Sequence, residues 1–169
     1  MVGLPGAGKT TRARELEREH GALRLTPDEW MLPLFGASDA GGARDVLEGR
    51  FVWLARRALA IGTDVVLDFG LWGRDERSAL RALAAEAGAR CAAIWLPVDE
   101  ATQRQRVFAR FDRAPDETFP MTADDLVRSR QVFEPPAEDE FGPVVDPPPA
   151  GFDGWARWIA DRWPSAGTD

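Results

Sequence analysis

The sequence predicts an α/β fold, a three-layer αβα sandwich around a central parallel sheet, and three observations carry that expectation. Apolar runs alternate with helical patterns along the chain, which is the punctuation of β-α units whose strands run parallel. A glycine-rich turn, Gly3-Leu4-Pro5-Gly6-Ala7-Gly8-Lys9-Thr10, leads directly into a helical stretch. The apolar run Val65-Val66-Leu67 ahead of Asp68 reads as a buried strand. At 169 residues the chain suits one domain with a real core, and residues 1–169 are expected to form it.

Each element follows from its local pattern. Thr10 to His20 reads as a helix ended by Gly21. Ala22 to Leu25 is a short strand, and Pro27 to Leu34 a turn and brief helix. Ala43 to Ala60 carries Val46, Phe51, Leu54, Ala58 and Leu59 at helical spacing, with Gly62 beyond its end. A strand over 64–68, an amphipathic helix over 74–87 and a strand over 90–96 come next. A helix is expected over 99–111, a polar loop over 112–120, and a helix over 122–132 that Thr122 would cap. The stretch 133–149, rich in proline and acid, is expected to hold a short last strand near Val144-Val145. A C-terminal helix over about 152–163 places Trp155, Trp158, Ile159 and Trp163 on one side, a stripe for docking. Only Met1 and Val2 precede Gly3, whereas strands run about five residues or more, so the first strand is expected to be truncated.

Bulk composition excludes some functions. The chain is 44% hydrophobic and 29% charged, as globular proteins are. It has no apolar run of about eighteen residues, so no membrane span is expected. The glycine-rich start is not a signal peptide, and the one cysteine, Cys91, has no intramolecular disulfide partner, so a cytoplasmic location is expected. A net charge of −7 argues against extended nucleic-acid binding, although it leaves room for a small basic cleft. Of the 21 basic residues only Lys9 is a lysine, in a chain that otherwise uses arginine.

The spacing G-x-x-x-x-G-K-[S/T], followed directly by a helix, is a phosphate-binding loop. Gly6 and Gly8 permit backbone angles that turn amide N–H groups toward phosphate oxygens. The helix behind them adds the positive end of its dipole. Gly3, Leu4, Pro5, Gly6, Ala7, Gly8, Lys9, Thr10 and Thr11 are therefore the expected binding residues for ATP. Lys9 would reach the β- and γ-phosphates as a compact point charge, Thr10 would ligate Mg²⁺, and Thr11 would donate to the α-phosphate.

Beyond the loop, the chain carries Thr26-Pro27-Asp28-Glu29, then Val65-Val66-Leu67-Asp68 with Arg74 and Arg77, then Arg104-Gln105-Arg106 and Arg110. In these motifs it resembles the small P-loop phosphotransferases, AAA-type ATP-binding kinase-like proteins that include polynucleotide 5′-hydroxyl kinases, chloramphenicol phosphotransferase and zeta toxins. The resemblance runs from Met1 to about Val132. It implies a P-loop NTPase fold with a helical, arginine-bearing lid over about 104–132. It implies that Asp28 accepts the proton of the substrate hydroxyl and that Arg106, Arg110 and Arg113 close over the nucleotide phosphates. Thr26 stands where the family often has Asn or Ser, Glu29 where it often has Asp, and Phe111 where it often has Asn.

The residues support these roles on chemical grounds and leave second readings open. Phosphoryl transfer needs an oriented hydroxyl, a metal ion and positive charge on the moving oxygens. Asp28 is either the group that orients the hydroxyl or a helix cap after Pro27. Asp68 is either a metal or acceptor ligand or a turn residue before Gly70. Arg106 and Arg110, four apart, share one helix face that serves a lid or meets solvent. Trp72 and Arg74 are the best substrate-side candidates and Trp30 is a further one, and packing is the alternative for the aromatics. The expected activity is transfer of the γ-phosphate of Mg-ATP to a hydroxyl of a small molecule or nucleoside. The alternatives are a polynucleotide or RNA 5′-hydroxyl kinase, and a nucleotide-binding switch or toxin-like NTPase module.

Overall fold

Gly8 adopts φ 93°, a left-handed conformation, and from it helix α1 (Lys9–His20) starts; Gly21, also left-handed, ends it. The computed structural model describes residues 1–142 and 144–167. Strand β1 (Leu23–Leu25) follows, then α2 (Pro27–Phe35) with Pro27 in its first turn, where a missing N–H costs nothing. Next come α3 (Ala43–Ala60), β2 (Val65–Leu67) and α4 (Arg74–Glu86). Helix α5 (Glu100–Arg113) is capped by Asp99, which accepts the Thr102 N–H at 2.9 Å. Helix α6 (Ala123–Val132) is capped by Thr122 as its sequence predicts, with Asp125 accepting the Thr122 N–H in return at 2.7 Å. Helix α7 (Trp155–Arg162) closes the chain. No helix among the described residues is long and apolar enough to cross a membrane.

The sheet is small and parallel. Leu23, Arg24 and Leu25 of β1 pair with Val65, Val66 and Leu67 of β2. Val2 lies fully buried beyond β2 and bridges in parallel to Gly70 on one side and Trp95 on the other. Its N–H donates to the Ile94 carbonyl at 2.9 Å, and its carbonyl accepts from Leu96 at 3.0 Å. The Met1 nitrogen donates to the Leu67 carbonyl at 2.6 Å. The segment ahead of the phosphate loop thus sits centrally among the strands. A second, apolar cavity of about 150 Å³ lies beside it, lined by Met1, Val65, Leu67, Leu80, Leu83 and Ala92 among others.

Two expected strands are corrected. The segment 90–96 forms only the bridge at Trp95, because its neighbour offers one residue, Val2, to pair with. Val144 and Val145 form no strand, and Val144 is 75% exposed, so two valines flanked by prolines have neither a ladder nor a core to join. The C-terminal helix begins at Trp155 rather than at residue 152.

The larger core joins α3, α4 and α7 through Val52, Ala79, Leu80, Leu83, Trp155, Ile159 and Trp163. The smaller joins Leu25 to Phe51 and Ala55 of α3. The tryptophan stripe on α7 is therefore a docking face, with Trp155 and Trp163 buried. A buried ion pair ties the tail to this core. Both Arg77 and Glu140 are almost wholly enclosed, and two hydrogen bonds at 2.5 and 2.9 Å join them. Arg77 also donates to the Leu71 and Trp72 carbonyls, which locks the turn after β2. Burial alone would push the Glu140 carboxyl up, but the Arg77 bonds hold it below the usual carboxylate range.

Candidate functional site

The phosphate loop, the end of β2, the first turns of α2 and α3, and helices α5 and α6 enclose one cavity of about 1430 Å³. Cavities that hold one small ligand run about 300–1,000 Å³, so this one has room for a nucleotide and a second molecule. Its floor is the loop. Gly6 has φ 78°, and a Cβ there would come within 3.1 Å of the Gln103 carbonyl and of Val107 on α5, so the loop lies directly against the lid helix. Pro5, Gly6, Gly8, Lys9, Thr10 and Thr11 line the cavity, whereas Gly3, Leu4 and Ala7 support the loop from behind.

Lys9 is held low in the cavity, and its Nζ donates to the Leu4 carbonyl at 3.0 Å. Burial lowers its affinity for a proton, and the nearby charges of Asp68 and Asp28 oppose that shift. A half-buried ammonium with one acceptor among the described residues has donors to spare for phosphate oxygens. Asp68, 5% exposed, ends β2 beside it. Its Oδ2 accepts from the Thr26 hydroxyl at 3.4 Å, and its buried Oδ1 has no hydrogen-bond partner among the described residues. Burial raises the carboxyl above its usual range, with the Thr10 hydroxyl, Lys9 and the amino terminus pulling the other way. An orphaned carboxylate oxygen next to a threonine hydroxyl on a phosphate loop fits a hard, oxygen-seeking cation, so Thr10 and Asp68 are the residues that would hold Mg²⁺. Among the described residues no group of three or more His, Cys, Asp or Glu side chains forms a protein-only metal cage. Mg²⁺ characteristically takes only one or two carboxylates and completes its shell with phosphates and water.

Asp28 lines the same cavity from the first turn of α2. It is not the helix cap, since Thr26 occupies that position. One oxygen, Oδ1, accepts from a terminal nitrogen of Arg44. Arg106, Arg110 and Arg113 of α5 face the loop across the cavity, and Arg106 donates to the Gly6 carbonyl at 3.4 Å. All three are exposed, and none is paired with a carboxylate among the described residues. Trp72 also lines the cavity.

Two substrate-side candidates are placed elsewhere. Trp30 is half exposed, rests edge-on against Phe51 at 5.4 Å between ring centres, and does not line the cavity. Arg74 also stays outside it, because Asp139 and Asp146 occupy its guanidinium at 2.6 and 2.9 Å. It fastens the tail onto α4. In their place stand residues that sequence reasoning passed over: Arg44 and Glu48 of α3, Glu76 of α4, and Arg162 and Trp163 at the end of α7. Glu48 is 5% exposed, accepts from Arg44 at 3.3 Å and from the Trp163 ring N–H at 3.2 Å, and is pushed up by burial against the pull of Arg44. Arg162 is shared between Glu76 and Asp45. The only sequence signal for this group is an i,i+4 Arg-Glu pair on a helix, which is common on solvated faces.

No curated protein matches the chain. A family model described as an AAA domain matches residues 1–136, which takes in the loop, both strands, Asp28, Asp68 and the arginines of α5 and stops just short of the Glu138–Phe141 turn and α7. With that match over most of its length and a phosphate loop opening onto the large cavity, the chain belongs to this AAA-domain family of kinase-like P-loop NTPases.

Proposed function

We propose that the protein is an ATP-dependent kinase that transfers the γ-phosphate of Mg-ATP to a hydroxyl of a small molecule. One observation carries this reading: the loop with Lys9, the acid Asp68, the acid Asp28 and the arginines 106, 110 and 113 all line one cavity with room for two ligands. The acceptor oxygen attacks the γ-phosphorus as the bond to the β–γ bridging oxygen breaks. The acceptor's proton passes to Asp28, and ADP departs with the bonding electrons. Lys9 and the loop amides neutralise the β- and γ-oxygens. The lid arginines stabilise charge on the transferring group, in a site that excludes water when they close. Thr10 and Asp68 would hold Mg²⁺, which would supply Lewis acidity at the phosphates.

A small acceptor is favoured over a nucleic-acid strand by the charge of the chamber away from the loop. On the side formed by α2, α3, α4 and α7, the lining acids Asp28, Glu29, Asp39, Glu48 and Glu76 outnumber the arginines Arg44 and Arg162, and these two arginines are already ion-paired. A strand would need unpaired basic groups along its track. We read residues 1–169 as one working unit on the three-layer P-loop frame, with a lid over about 104–132, acting in the cytoplasm where Mg-ATP is abundant. The test is a transfer screen with γ-labelled ATP against nucleosides, amino sugars, hydroxylated antibiotics and 5′-hydroxyl oligonucleotides. Label on a small alcohol is the expected result. Hydrolysis without transfer to any acceptor would replace this reading with that of a nucleotide switch.

A further inference from the structure

Asp28 has a side chain 61% exposed on a first helical turn, a poor place for a group that must meet a hydroxyl in one orientation. A line of contacts from the core solves that problem. Trp163, fully buried where α7 ends, donates its ring N–H to Glu48 Oε2 at 3.2 Å. Glu48 Oε1 accepts from Arg44 at 3.3 Å, one turn back on α3. Arg44 also donates from Nε to the Ser38 carbonyl at 2.6 Å, and its remaining terminal nitrogen meets Asp28 Oδ1. A planar guanidinium spends donors in three directions at once, which a lysine ammonium matches poorly. Asp28 Oδ2 takes no hydrogen bond among the described residues, so one oxygen is anchored and the other is left for the acceptor.

We propose that Arg44 is the positioning residue for Asp28, and that Glu48 and Trp163 set the position of Arg44. This rests on the kinase reading above. It assigns a catalytic consequence to α7, which lies outside the 136 residues of the family match. The line Trp163–Glu48–Arg44–Asp28 makes the last helix a support of the acceptor chamber as well as a cover for the core.

The experiment measures transfer kinetics of the full chain for wild type, Arg44→Gln, Arg44→Lys, Trp163→Phe, Asp28→Asn and the double variant Asp28→Asn/Arg44→Gln, with Mg-ATP binding and thermal melting as checks on folding. Arg44→Gln should lower kcat about tenfold to a hundredfold while the KM for ATP stays within about twofold. Arg44→Lys should recover part of that loss. Trp163→Phe, which keeps an aromatic side chain of smaller size and deletes the N–H, should lower kcat in the same sense by a smaller factor. Because Arg44 acts through Asp28, Arg44→Gln should cost nothing further in the Asp28→Asn background. An equal loss in both backgrounds, or an Arg44→Gln variant that melts lower but turns over normally, overturns the proposal and leaves the kinase reading standing. A wild type that transfers to no acceptor overturns both.

Discussion

The two ends of the large cavity are built on opposite plans. The phosphate end comes from nine contiguous residues, Gly3 to Thr11, a local loop whose one cation, Lys9, has spare donors. The acceptor end is gathered from α2, α3, α4 and α7, and its charged groups are already tied to one another: Arg44 to Asp28 and Glu48, Arg162 to Glu76 and Asp45. A loop that recognises a phosphate common to all nucleotides needs one local geometry. A chamber that selects one alcohol among many is shaped by packing between distant segments, so each relative can reshape it independently.

The largest expected effect is at the phosphate end. Lys9→Ala should lower transfer by roughly a thousandfold, by removing the point charge on the β- and γ-phosphates. Equal loss from Lys9→Arg would confirm that the compact ammonium matters as well as its charge. Turnover within tenfold of wild type in Lys9→Ala would break the comparison at once.

The next effect belongs to the frame of the acceptor end. Arg77→Ala leaves Glu140 buried without its cation and frees the Leu71 and Trp72 carbonyls, so it should cost about 3–5 kcal/mol of stability. Thermal melting checks it. A melting temperature unchanged in Arg77→Ala would mean that Arg77 is not what holds the Trp72 turn and the tail in place.

Asp68 divides the two ends and should show a trade of stability against function. Burial raises its carboxyl, so the folded state holds that proton more tightly than the unfolded chain does. Its contribution therefore falls as pH rises from the ordinary aspartate value of 3.8 toward the raised folded one, and Glu48 behaves likewise from 4.5. At neutral pH, Asp68→Asn removes that burden, and the ligand-free protein should melt a few degrees higher. The same variant should lose most of the extra stability that Mg²⁺ with a non-hydrolysable ATP analogue gives the wild type. A variant that melts lower and is still stabilised fully by that analogue would remove Asp68 from the site.

Legibility in the sequence follows the same division. The loop, the Thr122 cap, Asp68 at the end of β2 and the arginines of α5 are each readable because one short segment contains their whole reason for being there. Asp28 lines the cavity, and its reading as a helix cap falls because Thr26 holds that position. Trp30 and Arg74 stand outside the cavity because neighbours distant in sequence claim them: Phe51 takes one ring face-to-edge, and two acids of the tail take the guanidinium. Arg44, Glu48 and Trp163 were invisible for the same reason, since Glu48 and Trp163 lie 115 positions apart. The expected strand over 90–96 had the right composition but only Val2 to pair with, and strand propensity without a partner makes one bridge.

The claim common to both ends is that one cavity brings a nucleotide phosphate to a hydroxyl held by Asp28. The most direct measurement compares Asp28→Asn with wild type for γ-phosphate transfer and for Mg-ATP affinity in the same preparation. The account predicts a fall in kcat of about a hundredfold or more with the Kd for Mg-ATP within about twofold of wild type. Transfer that survives the substitution at its full rate would contradict it.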